Sequence, residues 1–262
     1  MSTYVIGDIH GCYDELMRML KVIDFKKSDR LILIGDYIDR GRQNYEMLRF
    51  ISYHPENILL LRGNHEEEFI AYVELMQAAD RANGMTEDQG SSDDTMALYE
   101  NVRYRIKQNK KGIPGWFFDA YGTIGNLIRF NNVVMENLIS WSGIMKQMPY
   151  FLRLECNGKK IMVSHAGYCE GLSENELKHF CLYAGKDGIE CGGIERGIVI
   201  SGHTPTIFED EFAYTGGRVF RFEDKEKRCS FYNIDCGCVF RDTYPAAGLA
   251  CMRIEDEKMF YV

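Results

Sequence analysis

The sequence predicts an α/β protein built on a mainly parallel sheet covered by helices. Three observations carry that prediction. Short apolar runs alternate with helix-length stretches over residues 4–79. A mostly helical stretch occupies 94–147. From Phe151 onward the pattern turns β-rich.

Tyr4–Ile6 is apolar and of strand length, and Tyr13–Ile23 carries Leu16, Leu20 and Ile23 on one helical face. Leu31–Ile34 is continuously apolar, as buried strands are. Tyr45–Tyr53 reads as a helix that Pro55 stops. Ile58–Leu61 is a third buried strand. Glu66–Ala79 reads as a helix with acids in its first turn, where the helix dipole favours them. Residues 80–93 are polar, with Gly84, Gly90, Ser91 and Ser92, and read as a loop. The helical stretch 94–147 is interrupted at Gly112-Ile113-Pro114-Gly115. The segment 80–147 is therefore expected to be a helical insertion or lid.

Phe151–Cys156 and Lys160–Ser164 flank Asn157-Gly158, a strong hairpin signal. Ser173–Tyr183 reads as a helix opened by a Ser173…Glu176 capping box. Ile198–Ser201, Val219–Phe222, Cys229–Ile234, Leu249–Ile254 and Lys258–Val262 are the remaining strands. No repeat of solenoid length and no low-complexity tract interrupts this order.

A length of 262 residues predicts a single domain, 1–262. No apolar run reaches the length of a membrane span, so no membrane partner is expected. The chain enters a strand at once, with neither a basic n-region nor an apolar h-region of a signal peptide. A net charge of −8 argues against a nucleic-acid partner, so attraction of an anionic substrate must come from local cations. Nine cysteines at irregular spacing do not read as a disulfide framework and predict a cytoplasmic setting. Cys236-Gly237-Cys238 lacks a second pair at zinc-finger spacing, and two buried thiols are the expectation there.

One event recurs along the chain: an apolar run ends, often at a glycine, and a metal-ligand type of residue follows. Ile6-Gly7 leads to Asp8 and His10, Ile34-Gly35 to Asp36, and Arg62-Gly63 to Asn64 and His65. Val163-Ser164 leads to His165, and Ser201-Gly202 to His203. Ligands of open α/β sheets bind beyond the carboxyl ends of strands. Four of the six histidines fall in these loops, while His54 and His179 do not. Two carboxylates, one amide oxygen and three imidazoles suit borderline ions such as manganese, iron or zinc. Six ligands are too many for one tetrahedral ion and natural for two neighbouring ones, which together can activate a shared water and hold phosphoryl oxygens.

Gly7-Asp8-Ile9-His10-Gly11, Gly35-Asp36-Tyr37-Ile38-Asp39-Arg40-Gly41 and Gly63-Asn64-His65-Glu66 resemble, in order and spacing, the three signature blocks of the phosphoprotein phosphatase (PPP) metallophosphoesterases. His165-Ala166-Gly167 and Gly202-His203-Thr204-Pro205 resemble the two later histidine blocks, and Ile234-Asp235-Cys236-Gly237 the last strand motif. The compact size is similar to bacterial and bacteriophage Ser/Thr protein phosphatases and to symmetrical diadenosine tetraphosphatases. The resemblance implies a calcineurin-like fold, with two central mixed sheets flanked by helices and a mainly helical cap.

It also implies roles. Asp8 and His10 would hold one divalent ion, and Asn64, His165 and His203 a second. Asp36 would bridge them, and manganese is the first expectation for both. His65 would be the general acid, Asp39 would orient its ring, and Arg40 would clamp phosphate. A hydroxide held by the two ions would attack phosphorus in line. The expected activity is Ser/Thr phosphoprotein phosphatase, on phosphorylated protein or peptide. The alternatives are symmetrical hydrolysis of diadenosine tetraphosphate and, from another class, a non-catalytic binding module on the same fold. The family's second phosphate-binding arginine has no counterpart in Leu182–Asp187, where Lys186 is the nearest cation; Arg196 is another candidate.

Three further features have plainer readings. The basic run Arg103, Arg105, Lys107, Lys110 and Lys111, preceded by Glu87, Asp88, Asp93 and Asp94, reads as a solvated helix face and charged loop. Trp116, Phe117 and Phe118 read as core, not as a base-stacking surface. Cys12 reads as a passive thiol.

Overall fold

The computed structural model describes residues 1–83, 91–108, 117–191, 194–208 and 215–262. Two five-stranded sheets form its centre. The first has the order β10(Lys258–Tyr261), β9(Ala250–Arg253), β1(Thr3–Ile6), β2(Arg30–Leu33), β3(Ile58–Leu60), parallel from β1 to β3 and antiparallel at β9 and β10. The second has the order β4(Phe151–Cys156), β5(Lys159–Ser164), β6(Gly197–Ser201), β8(Cys229–Asn233), β7(Phe220–Asp224). Its centre, β5-β6-β8, is parallel and its edges antiparallel. Both sheets are mixed, and helices flank them, as the calcineurin-like fold requires.

Strand alternation explains the layers. Tyr4, Ile6, Leu31 and Leu33 face the helices, whereas Val5, Ile32 and Ile34 face the second sheet. There they meet Ile161, Val163, Ile198, Ile200 and Ile234 in a buried layer between the sheets. The helical side holds α1(Tyr13–Val22), α2(Asn44–Tyr53), α3(Asn64–Asn83), α4(Ser92–Gln108), α5(Phe117–Asn131) and α6(Met135–Gln147). Leu98, Tyr99, Ile124, Leu127, Leu138 and Trp141 of α4–α6 share one core with Leu16, Met47 and Phe69. The expected insertion is thus packed into the helical layer. The far face of the second sheet packs on α7(Glu174–Tyr183), next to the short α8(Asp187–Glu190).

Most expected boundaries fall within two residues of these elements. The expected loop 80–93 is shorter than read, because α3 runs on to Asn83 and α4 starts at Ser92. Gly84, Glu87, Asp88 and Gly90 lie outside the described residues, as do Lys110, Lys111, Gly112–Gly115 and Trp116. The side chains of Phe117 and Phe118 do so too. Asp93 and Asp94 stand in the first turn of α4, and Arg103 pairs with Glu100 at 3.0 Å on its partly exposed face. The break between α5 and α6, over 132–134, has no glycine or proline to announce it. The cysteine pattern did not anticipate the disulfide between Cys169 and Cys191; the other seven cysteines are free, with Cys236 and Cys238 buried.

Candidate active site

Five loops at the carboxyl ends of β1, β2, β3, β5 and β6 converge on one point. They bring Asp8 and His10, then Asp36, Asp39 and Arg40, then Asn64 and His65 at the start of α3, then His165 and His203. All nine residues singled out by the sequence are therefore assembled. Seven are buried, and Arg40 and His203 border the opening. His10, Asp36, Asp39, Arg40 and His203 have positive φ, from 45° to 74°. Non-glycine residues rarely adopt this conformation, and it concentrates where a site over-determines the backbone. Gly202 is required for closeness: a Cβ there would lie 2.2 Å from Asp8 Oδ1.

The donor atoms face one another. His165 Nε2 lies 2.9 Å from Asn64 Oδ1 and 3.0 Å from His203 Nδ1, and His203 Nδ1 lies 3.0 Å from Asn64 Oδ1. Asp36 Oδ2 sits between the two halves, 3.5 Å from His10 Nε2 and 3.4 Å from His165 Nε2. Backbone carbonyls fix the rings from behind: His10 Nδ1 meets Ile38 O at 2.8 Å and His165 Nδ1 meets Ile34 O at 3.2 Å. Each of these two rings then turns a lone pair inward, as metal-ligating imidazoles do. Asn64 Nδ2 donates to Glu68 Oε1 at 3.2 Å, so its amide oxygen is the atom left for the cluster.

Electrostatics point the same way. Burial pushes His10, His165 and His203 towards the neutral form, His203 to about 3. Burial disfavours the Asp36 carboxylate, but the imidazoles of His165, His65, His10 and His203 outweigh it and hold Asp36 well below the usual range. Asp8 is driven up by burial and by the carboxylates of Asp235 and Asp36. Converging lone pairs of neutral imidazoles, an amide oxygen and crowded carboxylates fit a divalent cation better than they fit one another. The Arg40 guanidinium acts as a stand-in cation: its Nη1 reaches His10 Nε2 at 3.1 Å and its Nη2 reaches His65 Nε2 at 3.0 Å.

His65 Nδ1 donates to Asp39 Oδ2 at 2.6 Å, with both residues fully buried. Burial opposes the imidazolium, yet Asp36 and Asp39 override it and raise His65 to about 9. Arg40, which can only donate, requires His65 Nε2 to be unprotonated. These two states are alternatives. Withdrawal of the guanidinium would free Nε2 to carry the proton.

A calcineurin-like phosphoesterase family model matches residues 1–206, which include every residue of the cluster just described. The chain belongs to the calcineurin-like phosphoesterases. Members of this family are metal-dependent hydrolases of phosphate esters, and this member carries His and Asp clusters suited to such ions. The chain is 42% identical to a symmetrical bis(5'-nucleosyl)-tetraphosphatase of Cronobacter sakazakii over 279 aligned positions, covering 99% of this chain and 93% of that one. It is 37% identical to the protein of the same name from Buchnera aphidicola over 168 residues, which are 64% of this chain and 44% of that relative. The chain thus spans less than half of the Buchnera protein. A crystal structure of a metallophosphoesterase from Sphaerobacter thermophilus superposes with a TM-score of 0.52 at 14% identity, covering 100% of this chain and 88% of that one. That likeness shows the shared fold.

Within this phosphoesterase, sequence reasoning passed over three acids. Glu66 Oε2 accepts the N–H groups of Asp36 (2.8 Å) and Gly63 (2.9 Å), and its Oε1 accepts that of Tyr37 (2.9 Å). It ties the second loop to the third. Glu68 orients Asn64. Asp235 lies buried behind Asp8, and its Oδ1 accepts the Gly237 N–H at 2.9 Å. Glu66 and Asp235 stand inside the motif blocks, so their positions were visible although their partners were not. The two candidates for the second phosphate cation separate cleanly. Arg196 precedes β6, at the end opposite His203. Lys186 is exposed and follows Gly185, where a Cβ would lie 3.8 Å from His203 Cδ2.

Proposed function

We propose that this phosphoesterase hydrolyses dinucleoside polyphosphates symmetrically, diadenosine tetraphosphate being the type substrate. The observation that carries the reading is the 42% identity extending over 99% of the chain to a relative of that name. Motif blocks alone placed Ser/Thr phosphoprotein phosphatase first, because the same loops serve both chemistries. Similarity along nearly the whole chain reverses that order.

Asp8, His10 and Asp36 would hold one ion and Asp36, Asn64, His165 and His203 the other. The placement of Asp36 Oδ2 between His10 and His165 supports its bridging role. Bound there, two divalent ions, manganese in our reading, would supply Lewis acidity towards a phosphoryl oxygen and an activated water. The chain supplies the rest. Arg40 is the phosphate clamp, its planar fork matched to two phosphoryl oxygens. His65, oriented by Asp39, is the proton donor to the leaving oxygen. A departing nucleoside diphosphate is a far better leaving group than a seryl alkoxide, so the acid matters less for it. Glu66 holds the loops of Asp36 and Asn64 in register. The whole chain acts as one domain in this reading.

A purified-enzyme panel with manganese, phosphopeptides and diadenosine tetraphosphate tests the proposal. ADP as sole product from the dinucleotide, with slow or no phosphopeptide turnover, is the expected result. Phosphopeptide turnover without cleavage of the dinucleotide would restore the protein-phosphatase reading. Absence of all phosphatase activity in protein carrying two ions would point to a binding module.

A further inference from the structure

A cavity of about 580 Å³ opens beside the candidate metal-ligand cluster, where the loops after β1 and β2 meet the segment after β8. Arg40, Arg42 and Arg241 line it, with Gln43, Asp14 and Asp242. Arg40 connects it to the reacting centre, because the same guanidinium touches His10 and His65. Arg241 caps the short 3-10 helix η1(Cys238–Phe240) and is firmly held. Its Nε meets Glu15 Oε1 at 3.2 Å, and its Nη1 donates to Cys12 Sγ at 3.0 Å and to Cys238 O at 3.2 Å. Arg42 is almost fully exposed, and its nearest acid, Asp242, is 3.8 Å away. An exposed pair at that distance exchanges readily for a better partner.

We propose that this cavity is a second phosphate subsite, in which Arg241 and Arg42 hold the part of the substrate's polyphosphate chain next to the phosphorus under attack. The identity of the ligand rests on the dinucleoside polyphosphatase reading. A phosphomonoester engages Arg40 and the ions and does not reach Arg241 or Arg42. A tetraphosphate continues past Arg40 and meets two further guanidinium groups. Charge-assisted hydrogen bonds from a fixed arginine fork are among the stronger polar contacts, and prior fixing lowers the ordering cost of binding. Asp14 and Asp242 keep the net positive charge small, so selection comes from the placed donors. A separate hollow of about 420 Å³ lies between α1 and α2, lined by Tyr13, Phe50, Tyr53, Glu46 and Arg49. Tyr13 and Phe50 meet edge-on there, and Tyr53 is 83% exposed. Tyr13 of this hollow is next in sequence to Asp14 and Cys12 of the phosphate cavity, and an aromatic surface of this kind can take a base. Phe50 lies six residues along α2 from Asn44, ~9 Å of helix.

The test uses the manganese-loaded enzyme with free manganese held constant. KM is measured for diadenosine tetraphosphate and for p-nitrophenyl phosphate, and inhibition of the latter reaction is measured with inorganic tripolyphosphate and with orthophosphate. Arg241→Ala and Arg42→Ala should each raise the ratio of the two KM values roughly ten-fold, and weaken tripolyphosphate roughly ten-fold relative to orthophosphate. Arg42→Glu, at an exposed position that folding tolerates, should exceed both and carries the test if Arg241→Ala does not fold. Wild-type ratios in Arg42→Glu overturn the subsite. A wild-type enzyme that ignores diadenosine tetraphosphate overturns the functional reading by itself, while the two inhibition constants still decide the subsite.

Discussion

The two sheets contribute unequally to one centre. Loops of the first sheet carry the two carboxylates Asp8 and Asp36, the Asn64 amide, the His65–Asp39 pair and Arg40, all within residues 8–65. Loops of the second supply two imidazoles, His165 and His203, and the buried Asp235, which lies behind Asp8. The first set is welded together by Glu66, which accepts three backbone N–H groups from two loops. The second set reaches across the apolar layer between the sheets, and its ties to the first include His165 Nδ1 on Ile34 O and the His203 N–H on Asp8. In the proposed assignment, proton and phosphate handling thus reside in the first sheet, whereas one of the two ion sites would need both sheets.

Substituting the acid should show the largest effect. His65→Asn keeps the ligands of both ions but removes the proton donor, so turnover of a phosphoserine-type or alkyl phosphate ester should fall roughly 10²–10⁴-fold. The loss should be much smaller on p-nitrophenyl phosphate or diadenosine tetraphosphate, whose leaving groups hardly need a proton. Equal losses on good and poor leaving groups would remove His65 from the acid role. Next comes the division between the sheets. Asp36→Asn should lower the metal content of both sub-sites, read by elemental analysis after gel filtration. His203→Asn, on the second sheet, should lower it at one. If both variants lose the same number of ions, Asp36 is not shared.

The same asymmetry governed what could be read from sequence. Strands and ligand loops were legible because apolar runs end abruptly at glycine and are followed by Asp, Asn or His, a pattern set by local steric and ligand chemistry. The pairing of β1 with β9, some 250 residues away, left no local mark. Neither did the β10-β9-β1-β2-β3 order, which depends on packing across the whole chain. At the site, the nine candidate residues that the fold brings together were legible by type. Their supports were not. Glu66 looked like a first-turn acid favoured by the helix dipole, and its bonds to Asp36, Tyr37 and Gly63 depend on two loops meeting in space. The Cys12–Glu15–Cys238 cluster with Arg241 is likewise tertiary, and the one disulfide joins residues 22 apart without a motif.

Burial of acids on both sides of the seam predicts how pH and metal act together. Burial, helped by Asp36, raises Glu66 to about 7, and burial raises Asp235 to about 7, against ordinary values of 4.5 and 3.8. A carboxyl that binds its proton more tightly when folded stabilises the fold at low pH and loses that contribution as pH rises through this window. The share of stability that Glu66 and Asp235 contribute to the metal-free protein should therefore fall between about pH 4 and pH 7, while the buried neutral imidazoles of His10, His165 and His203 contribute in the opposite direction below their ordinary range. Added manganese favours the ionised carboxylates, so it should raise Tm more at about pH 7.5 than at about pH 5. A manganese-induced Tm gain independent of pH would show that these acids do not sense the ions.

The smallest effect separates two cations on the second sheet's side. Lys186 is exposed and follows Gly185, which packs against Thr204 and His203, and Arg196 lies at the far end of β6. A lone ammonium at the rim, partly screened by water, contributes less than a paired guanidinium fork. Lys186→Ala should raise KM for diadenosine tetraphosphate about three-fold, within the range of one exposed charge contact, with kcat nearly unchanged. Arg196→Ala should leave both constants as they are, since it lies at the end of β6 opposite His203. The rise should shrink as ionic strength increases, because an exposed charge loses its reach within a Debye length. A KM effect that salt does not diminish would mean that Lys186 acts by supporting the His203 loop and not by meeting phosphate.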